Sequence, residues 1–156
     1  MLNLNAPKGY DVFLGGTTNE SIWRNIFIEE IEKIAPNIKC FNPVVDNWTP
    51  ECIELENFIK ATSKHHVYVI TPLMIGVYSI AEAIESAMNN KFTYFVVLET
   101  DPTNPERKFS EQMLYSLDAV GEMVKSHFGN YYRCNDLSSV IKGVCANFVE
   151  ATVRSI

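Results

Sequence analysis

An apolar run at residues Phe92–Leu98, which reads FTYFVVL, is the clearest structural signal in this sequence. Its β-branched and aromatic residues favour a strand, and the lack of polar alternation is typical of a strand covered on both faces. Shorter runs of similar composition predict further strands at residues 10–15, 38–41, 66–71 and 131–134. Strands of this kind indicate a parallel sheet between two layers of helices.

Helical patterns separate these runs. The first predicted helix follows a cap at Asn19 or Ser21 and ends at Pro36, and the second runs from a cap at Thr49 to about Thr62. The third and fourth span residues 79–89 and 110–128. The fifth follows a cap at Asp136, with Val140, Val144, Phe148 and Val149 facing inward. Alternation of strands and helices predicts a doubly wound, flavodoxin-like α/β fold. We expect one domain over residues 1–156, with a five-stranded parallel sheet in the order 2-1-3-4-5 and helices on both faces.

Composition and charge exclude several classes of function. The net charge of −6 and the isoelectric point of about 5.0 argue against duplex nucleic acid as a partner, because phosphates require a basic face. No run reaches the roughly 20 apolar residues of a membrane span, and residues 1–10 lack the apolar core of a signal peptide. The unpaired spacing of Cys40, Cys52, Cys134 and Cys145 predicts reduced, buried thiols in a cytoplasmic protein.

No metal or cofactor site is expected. His65 and His66 enter the third strand, so their side chains should point to opposite faces of the sheet, and neither has a second ligand at suitable spacing. No phosphate-binding glycine motif of the dinucleotide type is present. We therefore expect no cofactor, and a small neutral or zwitterionic ligand remains compatible with the acidic charge of the chain.

The predicted strand order also predicts where that ligand binds. Strands 1 and 3 are neighbours, and the chain reverses direction between them, so ligands bind beyond their carboxyl ends. The residues that follow strand 1 are Gly15, Gly16, Thr17 and Asn19, which we predict to contact substrate. The glycines would allow close approach of a ligand to the backbone. The alternative is a plain strand-to-helix turn.

The loop after strand 2 carries Asp46 and Trp48. A Trp side chain in this position could stack on a nucleobase, while the carboxylate binds a hydroxyl or a ring nitrogen. The alternative is that Trp48 packs onto the domain and that Asp46 belongs to a turn.

The loop after strand 3 leads to Glu82, which we predict to lie in the first turn of the third helix and to face the crevice. The helix dipole would favour its charged form, which suits a nucleophile. The competing interpretation is a capping box, in which Glu82 only binds the backbone N–H of Ser79. Gly76, Tyr78 and Ser79 lie in the same segment and are predicted to contact substrate.

Several segments together resemble the nucleoside 2-deoxyribosyltransferase-like family. They are residues 12–17 (VFLGGT), 41–45 (FNPVV), 48–52 (WTPEC), 68–72 (YVITP) and 76–82 (GVYSIAE), and the similarity extends to about Val124. The resemblance implies a flavodoxin-like fold and cleavage or exchange of the base on a 2′-deoxynucleoside or deoxynucleotide. It also implies that Glu82 attacks the anomeric carbon to form a covalent sugar intermediate, as retaining glycosidases do.

The sequence departs from that family where the proton donor is expected. No carboxylate lies between Thr71 and Ala81, and the residues before strand 3 read Ser63-Lys64-His65-His66. A leaving base needs a proton, so another acid must supply it. Asp46 and Glu56 are the candidates within the chain, and a second subunit of a homo-oligomer is a further source.

Three functions therefore remain open from the sequence. The first is base exchange or N-glycosidic hydrolysis, with a nucleoside or nucleotide and a free nucleobase as partners. The second is a protein that binds or sequesters nucleosides without turnover, which the missing acid favours. The third is cleavage of NAD, since residues 10–14 (YDVFL) also resemble the first strand of TIR domains.

Overall fold

A computed structural model of the chain describes residues 9–154, with side chains to residue 149. Within these residues strands and helices alternate. The strands are β1 (Val12–Gly16), β2 (Cys40–Phe41), β3 (His65–Ile70), β4 (Phe92–Leu98) and β5 (Asn130–Cys134). The helices are α1 (Trp23–Ile34), α2 (Pro50–Thr62), α3 (Tyr78–Met88), α4 (Glu111–Ser126) and α5 (Ser138–Arg154). The prediction that residues 1–10 are not a signal peptide falls mostly on residues 1–8, which lie outside the described part.

The strands form a parallel sheet in the order β2-β1-β3-β4-β5, which confirms the predicted doubly wound, flavodoxin-like fold. β1 and β3 pair directly, with Val12 opposite His65 and Gly16 opposite Val69. Their carboxyl ends therefore lie side by side, and the helices that follow them, α1 and α3, pack on opposite faces of the sheet. This is the point at which a doubly wound sheet leaves room for a ligand.

Each face of the sheet has its own core, because successive residues of a strand point to opposite sides. On one face, α1 and α5 bury Val12, Leu14, Val67, Val69 and Tyr94. On the other, α2, α3 and α4 bury Phe13, Tyr68, Ile70, Phe95 and Val97. The prediction of helices on both faces is thus confirmed.

The two histidines of β3 face opposite sides, as predicted. His65 Nδ1 lies 3.1 Å from the Tyr94 hydroxyl, whereas His66 Nδ1 lies 2.8 Å from Ser86 Oγ on α3. Burial lowers the pKa of each imidazole to about 4, so both are neutral near neutral pH. Within residues 9–154, no group of three or more His, Cys, Asp or Glu side chains is placed to hold a metal ion.

The start of α1 differs from the prediction. The helix begins at Trp23, and neither Asn19 nor Ser21 caps it. Instead the backbone N–H of Ile22 donates to Thr103 Oγ1 at 3.0 Å, a hydroxyl from the loop after β4. Asn19 has a positive φ of 22° and belongs to the turn before the helix. The start of α1 is therefore tied to the loop after β4 by a distant side chain.

Two smaller predictions were wrong. Val149 is 62% exposed and does not face the core, although Val140 and Val144 of the same helix are fully buried. The four cysteines are free thiols but are only partly buried.

Among the helices of the described residues, none has the length and apolarity needed to cross a membrane.

Candidate active site

A cavity of about 310 Å³ opens where β1 and β3 end. It is lined by Phe13, Gly15, Gly16, Thr18, Arg24, Pro43, Val44, Val45, Trp48, Glu56, Tyr78, Ser79 and Glu82. These residues come from the turn after β1, the loop after β2, helix α2 and the start of α3. Most of the side chains predicted from sequence are thus brought together in one concave site.

The paired ends of β1 and β3 form the floor of the cavity, and Gly15 and Gly16 leave little space between these strands. A Cβ atom on Gly15 would lie 2.4 Å from the Tyr68 ring, and one on Gly16 would lie 2.1 Å from the Val69 carbonyl oxygen. Gly16 also has φ of +117°, which side-chain-bearing residues rarely adopt. Glycine is therefore required here by the packing of the protein itself, whether or not a ligand approaches.

Arg24 organises the turn above this floor. It is only 3% exposed, and its guanidinium donates to the carbonyls of Leu14 (3.1 Å), Thr17 (2.7 Å) and Gly16 (3.1 Å). Burial lowers the pKa of Arg24 to about 10, although the charges of Glu56 and Glu82 oppose this shift. The amphipathic pattern of α1 does not reveal that Arg24 is buried, because its partners are backbone carbonyls of the preceding strand and turn.

Thr17, Asn19 and Gly76 line a neighbouring hollow of about 200 Å³ that shares Tyr78 and Ser79 with the main cavity. The Thr17 hydroxyl accepts the backbone N–H of Thr71 at 3.0 Å. The Asn19 amide donates to the Leu73 carbonyl at 2.8 Å. These two side chains therefore join the loops after β1 and β3, which is a structural task beside any contact with substrate.

Glu82 lies deeper in its helix than predicted. The helix begins at Tyr78 with Val77 as its N-cap, so Glu82 is the fifth residue of α3, beyond the first turn. The prediction of a first-turn position was wrong, because the Ile80 N–H already bonds to the Val77 carbonyl. No side chain caps the helix, so the capping box that competed with a functional role does not form.

The carboxylate of Glu82 is instead held by a lysine. Lys60 Nζ of α2 lies 2.5 Å from Glu82 Oε2, and Glu82 is 7% exposed. Burial opposes the charged form of Lys60, but the hydrogen bond and the charge of Glu82 outweigh this and raise the pKa of the ammonium. Sequence reasoning missed Lys60; its only signal was its place four residues after Glu56 on the same helix.

Glu56 lines the cavity close to this pair. Burial is the largest cause that raises the pKa of its carboxyl group, and the negative charge of Glu82 raises it further. Lys60 and Arg24 partly oppose the shift. A carboxyl group that retains its proton more readily than usual, beside a second carboxylate, is the arrangement that general acids need.

Asp46 and Trp48 have different positions although they are close in sequence. Asp46 is exposed and lies outside the residues that line the cavity. Trp48 lines the cavity while 63% of its surface remains exposed, so it does not pack down onto the domain. Of the two acids considered as proton donors, Glu56 therefore lines the cavity and Asp46 does not.

A polar network anchors α3 one turn beyond Glu82. The Ser86 hydroxyl lies 2.8 Å from His66 Nδ1 and 2.8 Å from the Tyr68 hydroxyl. Glu82 and Ser86 are four residues apart and hence share a helix face. This network holds the helix that carries Glu82 against β3, and nothing in the sequence beyond the residue types indicates it.

Comparisons of the chain with protein-family models, with curated proteins and with solved structures give no match. The resemblance to the deoxyribosyltransferase-like family therefore rests on the sequence segments alone.

Proposed function

We propose that the chain cleaves or exchanges the N-glycosidic bond of a 2′-deoxynucleoside or deoxynucleotide through a covalent sugar–Glu82 ester. The observation that carries this proposal is a pair of carboxyl groups in one cavity, at the carboxyl ends of β1 and β3. Glu82 is held by a cation, and Glu56 has a raised pKa. Environments that differ in this way separate the roles of nucleophile and acid.

In the proposed reaction a Glu82 oxygen attacks the anomeric carbon, and the bond from that carbon to the base nitrogen breaks. The electron pair leaves with the base, which receives the proton of Glu56. In the second half, water or another base attacks the same carbon, Glu56 accepts a proton, and Glu82 leaves as a carboxylate. Two displacements retain the configuration of the sugar.

The rest of the cavity suits a nucleoside. Its volume of about 310 Å³ falls within the range of roughly 300–1,000 Å³ for small-molecule sites. Trp48 and Tyr78 offer aromatic rings at its mouth, and stacking of a base on such a ring contributes about 1–3 kcal/mol. Gly15 and Gly16 line the floor with backbone atoms alone.

An exchange assay tests this proposal. The wild-type protein and Glu82→Gln are incubated with each natural 2′-deoxynucleoside or its 5′-monophosphate and a second free nucleobase, and the products are separated by chromatography. We expect product with the wild type alone, and a sugar adduct on Glu82 when a slow 2′-fluoro analogue is followed by mass spectrometry. Equal product from both proteins would refute the role of Glu82.

A binding protein without turnover is the second candidate, and the Lys60–Glu82 ion pair favours it. An ammonium at 2.5 Å withdraws electron density from the carboxylate and reduces its nucleophilicity. This candidate requires saturable binding of a deoxynucleoside by calorimetry with no product after prolonged incubation. NAD is included as a further substrate, and release of nicotinamide would favour the TIR-like reaction instead.

We also propose that the chain forms a homo-oligomer and acts in the cytoplasm. Tyr115 on α4, Phe128 just after α4 and Val149 on α5 expose most of their apolar surface, which a second copy could cover. The free thiols agree with a reducing compartment. Sedimentation velocity measures the first point, and a monomer at micromolar concentration would contradict it.

A further inference from the structure

Lys60 interacts with both carboxyl groups of the proposed site. It bonds to Glu82 across the gap between α2 and α3, at 2.5 Å. It also follows Glu56 by four residues on α2, a spacing that places two side chains on one helix face. The charge of Glu56 acts on Lys60, and that of Lys60 acts on Glu56.

The ammonium is confined to this position. Its side chain is 15% exposed, and its nitrogen lies 5.8 Å from the centre of the Phe13 ring and 5.9 Å from that of Tyr78. Both distances fall within the range of cation–π attraction. A cation with little contact to water interacts strongly with neighbouring carboxylates.

We propose that Lys60 is a positioning residue that changes partner during the reaction, from Glu82 in the free protein to Glu56 in the covalent intermediate. This inference rests on the proposed function. It assigns Lys60 a task that neither carboxyl group can perform, since the site needs a positive charge near whichever of them is ionised.

The charges balance through the first half of the reaction. When Glu82 forms its bond to the anomeric carbon, its negative charge disappears into the ester. The departing base takes the proton of Glu56, so a negative charge appears there. The positive charge of Lys60 now has Glu56 as its counterion, one helical turn away. The total charge of the three groups does not change.

The second half depends more strongly on Lys60. Water or an incoming base attacks the anomeric carbon, and Glu56 takes the proton of that nucleophile. The bond from the sugar to Glu82 breaks, and the electron pair returns to the Glu82 oxygen. A cation beside that oxygen stabilises the developing charge and makes the carboxylate a better leaving group. Lys60 therefore restrains the first step and promotes the second.

The test follows the covalent intermediate in wild type, Lys60→Met, Lys60→Gln and Lys60→Arg. Each protein is mixed with 2′-deoxyadenosine and free cytosine, quenched with acid at set times, and analysed by intact mass. Lys64→Met is the matched control, because Lys64 is an exposed lysine just beyond the same helix. Thermal melts monitored by circular dichroism establish that each variant is folded, and Lys60→Gln serves if Lys60→Met is not.

We expect a steady-state rate roughly 10²-fold lower in Lys60→Met than in wild type, as for loss of one stabilising group at a developing charge. The fraction of protein carrying the sugar should rise toward full occupancy, with an initial burst of free adenine. Lys60→Arg should recover much of the rate, and Lys64→Met should match the wild type.

Two outcomes would overturn the inference alone: product and adduct at the wild-type level in both uncharged variants, or a lower rate with no extra adduct. The latter would mean that Lys60 serves the first step or the fold. If the wild type itself yields neither product nor adduct with any deoxynucleoside, the proposed function fails, and the role of Lys60 fails with it.

Discussion

Two buried carboxylates, Glu82 and Asp101, stand near the same edge of the sheet and are held in different ways. Asp101 is 0% exposed and accepts the Thr71 hydroxyl at 2.5 Å and the Thr103 backbone N–H at 2.8 Å. Within the described residues, it forms no ion pair. Glu82 is 7% exposed, lines a cavity, and bonds to one lysine.

The difference separates a carboxylate that joins two loops from one that lines a cavity. Burial alone would raise the pKa of Asp101, but hydrogen bonds from neighbouring hydroxyls and from the Thr103 backbone outweigh it and lower the pKa. Those donors belong to the loops after β3 and β4, so Asp101 joins these loops. Glu82, in contrast, accepts from Lys60 of α2 and lines the cavity.

The substitution Glu82→Gln should have the largest effect on activity. Loss of a covalent nucleophile is expected to lower kcat by about 10⁴-fold or more, or roughly 5.5 kcal/mol of activation free energy. The free energy of unfolding should fall by only about 1 kcal/mol, because the Gln oxygen still accepts from Lys60 and Glu56 remains as a counter-charge for the buried ammonium. Urea denaturation and the exchange assay measure the two quantities. A large loss of stability would place Glu82 with Asp101 as a structural group.

Glu56→Gln should lower kcat/KM by about 10²–10³-fold and change its pH dependence. The proposed acid works only when protonated, and its pKa is raised, so the wild-type rate should fall as the pH rises through that pKa. The variant has no proton to lose and should lack this alkaline limb. Glu54→Gln, at an exposed position on the same helix, is the control. An unchanged limb in Glu56→Gln would assign the proton to another group.

The substitution Asp101→Asn should act mainly on stability. Replacing the charged acceptor leaves the Thr71 and Thr103 donors poorly matched and should cost about 2–3 kcal/mol of unfolding free energy. Because the pKa of Asp101 is lowered in the folded state, this contribution is present above the unfolded value near pH ~3.9 and is lost as the pH falls through the folded pKa. The difference in unfolding free energy between wild type and Asp101→Asn should therefore become smaller below about pH 4.

Urea denaturation over a pH series measures this difference, and kcat at temperatures where both proteins are folded should stay close to the wild-type value. A fall in kcat comparable to that of Glu82→Gln would remove the distinction between the two carboxylates.

The smallest effect is expected for Asp46→Asn. Asp46 is exposed and does not line the cavity, so rate and stability should change by no more than about twofold and 0.5 kcal/mol. Steady-state kinetics checks the first value. A loss of activity near that of Glu56→Gln would mean that the loop after β2 closes over the ligand and brings Asp46 into the site.

The fold and the region of the site followed from patterns local in the sequence. Continuous apolar runs such as that of β4 and helical spacings between them were sufficient for the strand order. With that order, a general property of parallel sheets located the cavity beside Gly15 and Glu82.

The partners of the polar side chains could not be predicted in the same way. Lys60 bonds to Glu82 from 22 residues away, and Thr103 accepts the Ile22 N–H from 81 residues away. Such pairs depend on how helices and loops settle on the sheet, and helical or strand periodicity carries no information about them. The predicted first-turn position of Glu82 was wrong for a different, local reason. The Ile80 N–H bonds to the Val77 carbonyl, so the helix begins before Ser79, which was the predicted cap.

The floor and the rim of the cavity differ in how well they tolerate substitution, because the floor contains the glycine pair at the end of β1. Any side chain at Gly15 or Gly16 would collide with β3, so libraries aimed at new substrates gain nothing from these positions. Val44, Val45 and Trp48 stand at the rim with about half or more of their surface exposed, and Gly76 has nothing within 4 Å of an added Cβ. Diversification should therefore begin at the rim, where new specificities can arise without loss of the scaffold.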